Sequence, residues 1–180
     1  GIRDSVASRG LGDVYKRQEN NVRMCDPECQ TILPRVKTDF ADIINACVNE
    51  NLSSLNLEWS NKKSICIVLC SKGYPDKFEN NIEIKSIDQI KLPEDSYIFH
   101  AGTKIEGNKY LSNGGRVLNI VAVTEEFSIS KNKTIKILET LNWKKGFYRK
   151  DIGYKVINIW ELLVAYIKIK KSNSTTQKDY

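Results

Sequence analysis

Residues 19–30 read Glu19-Asn20-Asn21-Val22-Arg23-Met24-Cys25-Asp26-Pro27-Glu28-Cys29-Gln30, and this stretch decides how the rest of the chain is interpreted. In an extended segment the side chains alternate between two faces, so Glu19, Asn21 and Arg23 project on one side. A carboxylate and an amide oxygen are hard ligands that suit Mg²⁺, and an arginine can bind a phosphate through two parallel hydrogen bonds. The pattern is consistent with a metal and phosphate site. From the spacing alone, the alternative is a polar edge strand with solvated side chains.

The composition is that of an ordinary globular protein, with 41% hydrophobic and 28% charged residues in 180. No apolar run is long enough for a transmembrane helix, so we expect no membrane partner. The net charge of +6 is concentrated at the ends: residues 1–18 carry +2 and residues 166–180 carry +3, which leaves about +1 for the body. A nucleic-acid-binding protein carries its charge on the folded body, so we expect no nucleic-acid partner.

The five cysteines are an odd number, and their spacing differs from that of zinc knuckles. Cys66 and Cys70 lie in an apolar run, where we interpret them as small buried hydrophobic residues. We expect reduced thiols and no metal bound to sulfur.

The hydrophobic pattern predicts both helices and strands. A stripe of Leu33, Val36, Phe40, Ile43/Ile44 and Cys47 has helical spacing and is interpreted as core packing. It breaks near Pro34, and Thr38 is the candidate cap of a second helix that runs to about residue 49.

The second half of the chain has a strand, a hairpin, a second strand and a helix. Residues 64–70 form a buried strand that ends in the turn Ser71-Lys72-Gly73-Tyr74-Pro75. Gly107-Asn108 predicts a hairpin between residues 103–106 and 109–112. Gly114-Gly115-Arg116-Val117-Leu118 opens a long strand that runs through Val123, and Phe127 to Leu141 forms an amphipathic helix. The helix residues expected to face inward are Ile129, Ile135, Leu138 and Leu141.

His100 is the single histidine and is interpreted as a hydrogen-bonded core residue. Arg116 is either a contact to a substrate phosphate or a surface charge. No nucleophile system of the Ser/His/Asp or Cys/His type can be placed with one histidine.

The string from Asn21 to Asp39 resembles phosphoribosylamine–glycine ligase, a member of the ATP-grasp superfamily. Ser71-Lys72-Gly73-Tyr74-Pro75, His100-Ala101-Gly102-Thr103 and Gly146-Phe147-Tyr148-Arg149-Lys150-Asp151-Ile152-Gly153 are similar to the same family. The resemblance covers roughly residues 19–153. One departure is Cys25, where the family has a glycine. If that position requires a positive φ, cysteine would cost roughly 1–2 kcal/mol.

The resemblance implies an enzyme that joins glycine to 5-phosphoribosylamine in purine biosynthesis. ATP, the co-substrate, would phosphorylate glycine to a glycyl phosphate, which the amine attacks. Glu19 and Asn21 match the family's ligands for Mg²⁺ or Mn²⁺, and Arg23 would be catalytic by steadying the acyl phosphate. The candidate substrate-binding residues are Asp26, Glu28, Lys72, Gly73 and Arg116. The alternative function is a non-catalytic, weakly basic binding module.

The expected fold class is α+β, with the C-terminal remnant of an ATP-grasp domain followed by a small β-rich domain with a covering helix. We expect a cytoplasmic fragment that is inactive alone, and the family also allows fusion to other purine-pathway domains. The expected divisions are a non-native or disordered arm at 1–18, the end of the ATP-grasp domain at 19–50, a connector at 51–63, the ligase C-terminal domain at 64–156 and a tail at 157–180.

Overall fold

The computed structural model describes residues 24–85 and 87–157. Its helices are α1 (Glu28–Ile32), α2 (Phe40–Val48) and α3 (Phe127–Leu141), with short 3-10 turns at Leu33–Arg35, Leu52–Ser54 and Ile87–Gln89. Its strands are β1 (Lys63–Ser71), β2 (Ser96–His100), β3 (Thr103–Glu106), β4 (Lys109–Ser112), β5 (Arg116–Thr124) and β6 (Gly146–Phe147). The α+β class predicted from the sequence is confirmed. The predictions for residues 1–18, Glu19, Asn21, Arg23 and the tail from residue 158 lie outside the described residues.

A four-stranded antiparallel sheet in the order β2-β5-β1-β6 forms the centre of the fold. β5 is buried along almost its whole length, because it lies between β1 and β2 and is covered on both faces. The hairpin of β3 and β4 forms a separate two-stranded sheet with the predicted bounds.

Helix α3 packs on one face of the sheet, which we call the helix face. Ile65, Ile67 and Leu69 of β1 point to this face and meet Ile137 and Leu138 of α3 in the main hydrophobic cluster. Burial of such side chains is worth about 1.5–3 kcal/mol each, so this layer is the main source of stability in the domain. The predicted bounds of the helix are confirmed.

The inward stripe of α3 was predicted partly wrongly. Ile129 is 45% exposed, whereas Ser130 is buried and donates to the carbonyl oxygen of Lys63 at 3.0 Å. Ile137 is buried and was not predicted. One residue is a rotation of about 100° in an α-helix, so a small phase error moves a side chain from the core to the surface.

Two other predictions also need correction. The cap of α2 is Asp39, whose carboxylate accepts from the backbone N–H of Ala41 at 2.7 Å. Thr38 instead accepts from the N–H of Glu58 at 2.7 Å, so its hydroxyl joins two backbone segments. His100 is exposed because it ends an edge strand, although its ring is bonded to Thr103 and stacked on Tyr110.

The predicted apolar stripe of α2 does not form a core in the described residues. Phe40 and Ile44 are 41% and 48% exposed, and Cys47 is also exposed. Leu33, Val36 and Ile43 are half-buried. Ala46 is the single buried residue of this helix.

All five cysteines lie in the described part, and none forms a disulfide. Cys66 and Cys70 are half-buried rather than fully buried, because they point to the face of the sheet opposite α3. No helix among residues 24–85 and 87–157 is long and apolar enough to cross a membrane.

Candidate functional site

Asp26 and Arg116, two of the residues singled out in the sequence, meet in the structure. Arg116 Nη1 donates to the backbone carbonyl oxygen of Asp26 at 2.6 Å. Arg116 Nη2 lies 3.6 Å from the Asp26 carboxylate, which makes an ion pair. The guanidinium therefore holds both the main chain and the side chain of Asp26.

The Asp26 carboxylate has two further partners. Asn119 Nδ2 donates to Oδ1 at 2.6 Å, and Gln30 Nε2 donates to the same oxygen at 2.9 Å. Asn119 is fully buried, so solvent does not reach its side of this contact. Three side chains thus fix the carboxylate in one orientation, and we call Asp26, Gln30, Arg116 and Asn119 the junction.

A β-bulge places Arg116 at the junction. Leu69 pairs with Leu118 whereas the next residue, Cys70, pairs with Arg116, so Val117 is an extra residue in β5. Paired residues of antiparallel strands share a face, and an extra residue reverses the alternation beyond it. Arg116 therefore points to the same face as Asn119, which we call the junction face, instead of to the helix face with Leu118.

The short helix α1 packs on the junction face against β1 and β5. Its residue Thr31 donates its hydroxyl to the carbonyl oxygen of Pro27 at 2.9 Å, and Thr31 also lowers the pKa of the Cys66 thiol. Burial, and secondarily the charge of Asp26, nevertheless raise the pKa of the Cys66 thiol to about 12. Cys66 is therefore a protonated thiol at neutral pH and not a nucleophile.

The junction contains two buried oxygen atoms without a hydrogen-bond partner among the described residues. They are Asn119 Oδ1 and Gln30 Oε1. Both side chains use their amide N–H groups on Asp26, which orients their oxygens away from it. An unsatisfied buried acceptor costs about 1–3 kcal/mol, so the Asp26 contacts are made at some expense in stability.

Glu28 and Cys25 lie beside the junction. Glu28 begins α1, and its side chain is exposed. Cys25 is absent from the non-glycine residues of the described part that have a positive φ. The strain considered for cysteine at this position therefore does not arise in this conformation.

Lys72 and Gly73 lie in a different place, on the loop after β1. This loop borders a cleft of about 280 Å³. Gly73 has a φ of +99°, and a Cβ built on it would lie 2.1 Å from the carbonyl oxygen of Lys77. Only glycine fits this turn without displacing the backbone. The structure therefore brings Asp26 and Arg116 together and places Lys72 and Gly73 apart from them, on a loop whose Lys72 lines the cleft.

Sequence reasoning missed four residues that surround these two sites. Asn119 and Gln30 bind Asp26, and Lys77 and Lys145 line the cleft with Lys72. Asn119 had a signal, because it is the single polar residue in the apolar run from Val117 to Val123. The other three had none, since polar residues in loops and short helices are common.

The predicted metal ligands Glu19 and Asn21 and the predicted catalytic residue Arg23 precede the described residues. Within the described part, no group of three or more His, Cys, Asp or Glu side chains could hold a metal ion. The junction is thus a carboxylate held by two amides and a guanidinium. Its carboxylate residue, Asp26, follows Arg23 by three positions in the sequence.

Comparison with protein families gives a match to the model described as "Phosphoribosylglycinamide synthetase, C domain". It covers residues 64–155, about half of the chain. This region contains β2 to β6, α3 and all of β1 except Lys63. It also contains Arg116, Asn119 and the cleft that Lys72 lines.

Several curated proteins are similar over most of the chain. The bifunctional purine biosynthetic protein purD of Dictyostelium discoideum is 40% identical over 160 residues, which is 88% of this chain and 20% of that protein. The phosphoribosylamine–glycine ligase of Fusobacterium nucleatum is 38% identical over 143 residues, 79% of this chain and 33% of that protein. The chain therefore spans a third or less of the length of these relatives.

A solved structure is also similar. The crystal structure of phosphoribosylamine–glycine ligase from Thermotoga maritima matches with a TM-score of 0.54 and 30% identity, over 73% of this chain and 32% of that one. The fold and the matched region thus define the class as an α+β domain of the kind found in phosphoribosylamine–glycine ligases. The chain belongs to the phosphoribosylglycinamide synthetase family, and residues 64–155 are its C domain.

Proposed function

We propose that this chain is the C-terminal part of an ATP-dependent ligase that joins glycine to 5-phosphoribosylamine and forms glycinamide ribonucleotide. The observation that carries the proposal is the 38% identity to a phosphoribosylamine–glycine ligase over 143 residues, together with the family match. Residues 19–50 would belong to the end of the ATP-grasp domain. The chain covers a third of that relative, so we expect no turnover by this chain alone.

In this proposal the stretch before the junction carries the phosphate chemistry. Glu19 and Asn21 would hold Mg²⁺ or Mn²⁺, since a carboxylate and an amide oxygen are the donors that these ions accept. The metal would neutralise charge on the phosphates of ATP. Arg23 would stabilise the glycyl phosphate electrostatically.

The junction would set the position of that stretch relative to the C domain. Arg116 and Asn119 belong to β5, and Asp26 follows Arg23 by three residues. Asp26 and Glu28 would lie on the substrate side, where a carboxylate can accept hydrogen bonds from an amine. Lys72 and Gly73 would contribute to the substrate side from the loop after β1.

The proposal includes a cytoplasmic location and glycine, 5-phosphoribosylamine and ATP as partners. The similarity to a bifunctional purine biosynthetic protein supports fusion to another purine-pathway domain. Neither nucleic acid nor a membrane is a proposed partner.

A chimera tests the proposed function. The segment of the Fusobacterium nucleatum ligase that aligns with this chain is replaced by this chain's residues, so that the junction and the cleft are transferred together. ADP release that requires both glycine and phosphoribosylamine is the expected result. The 180-residue chain assayed alone should release none. A folded chimera, checked by circular dichroism, that releases no ADP would contradict the proposal, as would turnover by the chain alone.

A further inference from the structure

Backbone hydrogen bonds hold the two segments that border the cleft beside β1. It lies between the loop that follows β1 and the turn that precedes β6. The backbone N–H of Lys72 donates to the carbonyl oxygen of Lys145 at 2.8 Å, which ties the two segments together. The N–H of Asp76 donates to the carbonyl oxygen of Gly73 at 2.9 Å and closes the loop on itself. The cleft is therefore bordered by hydrogen-bonded backbone on both sides.

The side chains that line the cleft carry an excess of positive charge. Lys72, Lys77 and Lys145 line it together with one acid, Glu79. Lys145 Nζ lies 3.1 Å from the Glu79 carboxylate, and both side chains are more than half exposed. Among the described residues, neither Lys72 nor Lys77 makes an ion pair, so these two ammonium groups are available to an anion.

The floor of the cleft is apolar. Phe78 and Ile82 form it, and the Phe78 ring packs edge-on against Tyr74 at a centroid distance of 6.1 Å. A neighbouring recess of about 220 Å³ shares Ile82 and Lys145 and adds further lysines, Lys85 and Lys144. The basic character thus continues beyond the first cleft, although Glu83 also lines the recess.

We propose that this cleft binds a small sugar phosphate through Lys72, Lys77 and Lys145. A phosphate dianion matches two or three ammonium groups that line one cleft better than a carboxylate does, because it has more charge and more acceptor oxygens. A volume of about 280 Å³ lies at the small end of ligand sites, which suits a monosaccharide phosphate. The apolar floor would contact one face of the sugar ring.

The size and charge pattern favour a small ligand over a polymer. A nucleic acid follows an extended basic stripe, whereas the lysines here are confined to two small recesses that Glu79 and Glu83 interrupt. Identification of the sugar phosphate with the phosphoribosyl group of the substrate rests on the proposed function. The anion-binding cleft itself does not, because its lysines and its apolar floor define it.

Titration of the ¹⁵N-labelled 180-residue chain tests the proposal, with ribose 5-phosphate, inorganic phosphate and ribose as probes. We expect ribose 5-phosphate to shift the amide resonances of residues 71–79 and 143–146 and to bind more tightly than inorganic phosphate. Ribose should not bind. Each of the variants Lys72→Gln, Lys77→Gln and Lys145→Gln should weaken binding roughly threefold to fivefold, the range of one exposed charge contact.

Two further variants serve as controls. Lys136→Gln removes the same charge from the exposed side of α3, away from the cleft, and should leave binding unchanged. Glu79→Gln releases Lys145 from its ion pair and should tighten binding about twofold or more. An increase cannot come from a folding defect, so this variant keeps the test informative even if a lysine variant is unstable.

Several results would overturn the proposal. Binding that survives the combined substitution of all three lysines would place the site elsewhere. Equal affinity for inorganic phosphate would exclude a sugar phosphate as the specific occupant, and absence of any shift at high ligand concentration would exclude the cleft. Each of these can occur while the chimeric ligase is active, and ribose 5-phosphate can bind while the chimera is inactive. The two proposals therefore fail separately.

Discussion

Arg116 holds Asp26 by its main chain across 90 positions of sequence, with the Nη1 donor 2.6 Å from the Asp26 carbonyl oxygen. The ion pair between the same side chains is longer, at 3.6 Å, and is the weaker part of the contact. The consequence is that the first described segment is tied to the start of β5. If Glu19, Asn21 and Arg23 form a phosphate site, this contact sets how that site meets the C domain.

Substitution of Arg116 by lysine should weaken the junction. A lysine can donate to the carbonyl oxygen or approach the carboxylate, but it lacks the planar fork that does both. We expect a loss of about 1 kcal/mol in the free energy of unfolding, the value of one hydrogen bond. Urea denaturation of the two proteins measures the difference.

Arg149 provides the matched control for this substitution. It is 69% exposed in its side chain and pairs with Asp151 two positions away, at 2.5 Å. Solvent screens surface pairs of this kind, so Arg149→Lys should change stability less than Arg116→Lys. Equal losses in the two variants would mean that Arg116 is an ordinary surface charge.

Asn119→Asp should destabilise the protein strongly and in a pH-dependent way. The new carboxyl would be buried and would face the Asp26 carboxylate in place of a donor 2.6 Å away. Burial and the like charge raise its pKa in the folded state above the unfolded value of about 3.9. Ionisation therefore favours the unfolded state at neutral pH, by about 3 kcal/mol or more.

The sign of the pH dependence follows from that raised pKa. The penalty is largest above the folded-state pKa and disappears below about pH 3.9, where both states are protonated. Urea denaturation at several pH values should show that Asn119→Asp approaches the stability of the parent as the pH falls. Asn119→Leu has a similar volume and no charge, so its difference from the parent should not follow this pattern. A penalty of Asn119→Asp that is independent of pH would contradict the buried contact.

Local patterns were sufficient to predict the regular elements near the core. The hairpin of β3 and β4 follows from Gly107-Asn108 between two short extended runs, and the bounds of α3 follow from its amphipathic period. The sequence-based prediction is wrong where a structural feature depends on a single residue position. The α2 cap depends on which of two neighbouring polar side chains turns back to the helix, and Asp39 does so rather than Thr38.

The junction could not be predicted from local patterns. Its residues come from two segments about 90 positions apart, and the contact depends on the extra residue Val117 in β5. Period-two alternation places Arg116 with Leu118 on the helix face, which is the wrong face. The identity of Asp26 and Arg116 as candidate substrate-binding residues came from family resemblance, and their mutual contact came from the structure alone.

Cys66 should be slow to alkylate. Its pKa of about 12, against an ordinary 9.0, lowers the thiolate population at pH 8 roughly a thousandfold. Iodoacetamide labelling followed by mass spectrometry should therefore modify the exposed Cys47 long before Cys66. The rate at Cys66 should continue to rise with pH toward 12.

The charge of Asp26 accounts for part of this slow reaction. Asp26→Asn removes that charge and loosens the junction, so it should speed labelling of Cys66 and leave the rate at Cys47 unchanged. Equal labelling rates of Cys66 and Cys47 in the parent protein would contradict the burial of Cys66 where α1 packs on β1.

Gly73 should be far less tolerant of alanine than Gly107, although both have a positive φ, of +99° and +60° respectively. At Gly107 nothing lies within 4 Å of the added Cβ, so the loss should be about 1 kcal/mol from the backbone conformation alone. At Gly73 the Cβ would lie 2.1 Å from the carbonyl oxygen of Lys77, so the loop must move. Thermal unfolding should show a clearly larger loss of stability for Gly73→Ala than for Gly107→Ala.

Because that loop positions Lys72 and Lys77, Gly73→Ala should also weaken ribose 5-phosphate binding, whereas Gly107→Ala should not. Equal effects of the two substitutions on binding would show that the loop conformation does not shape the cleft.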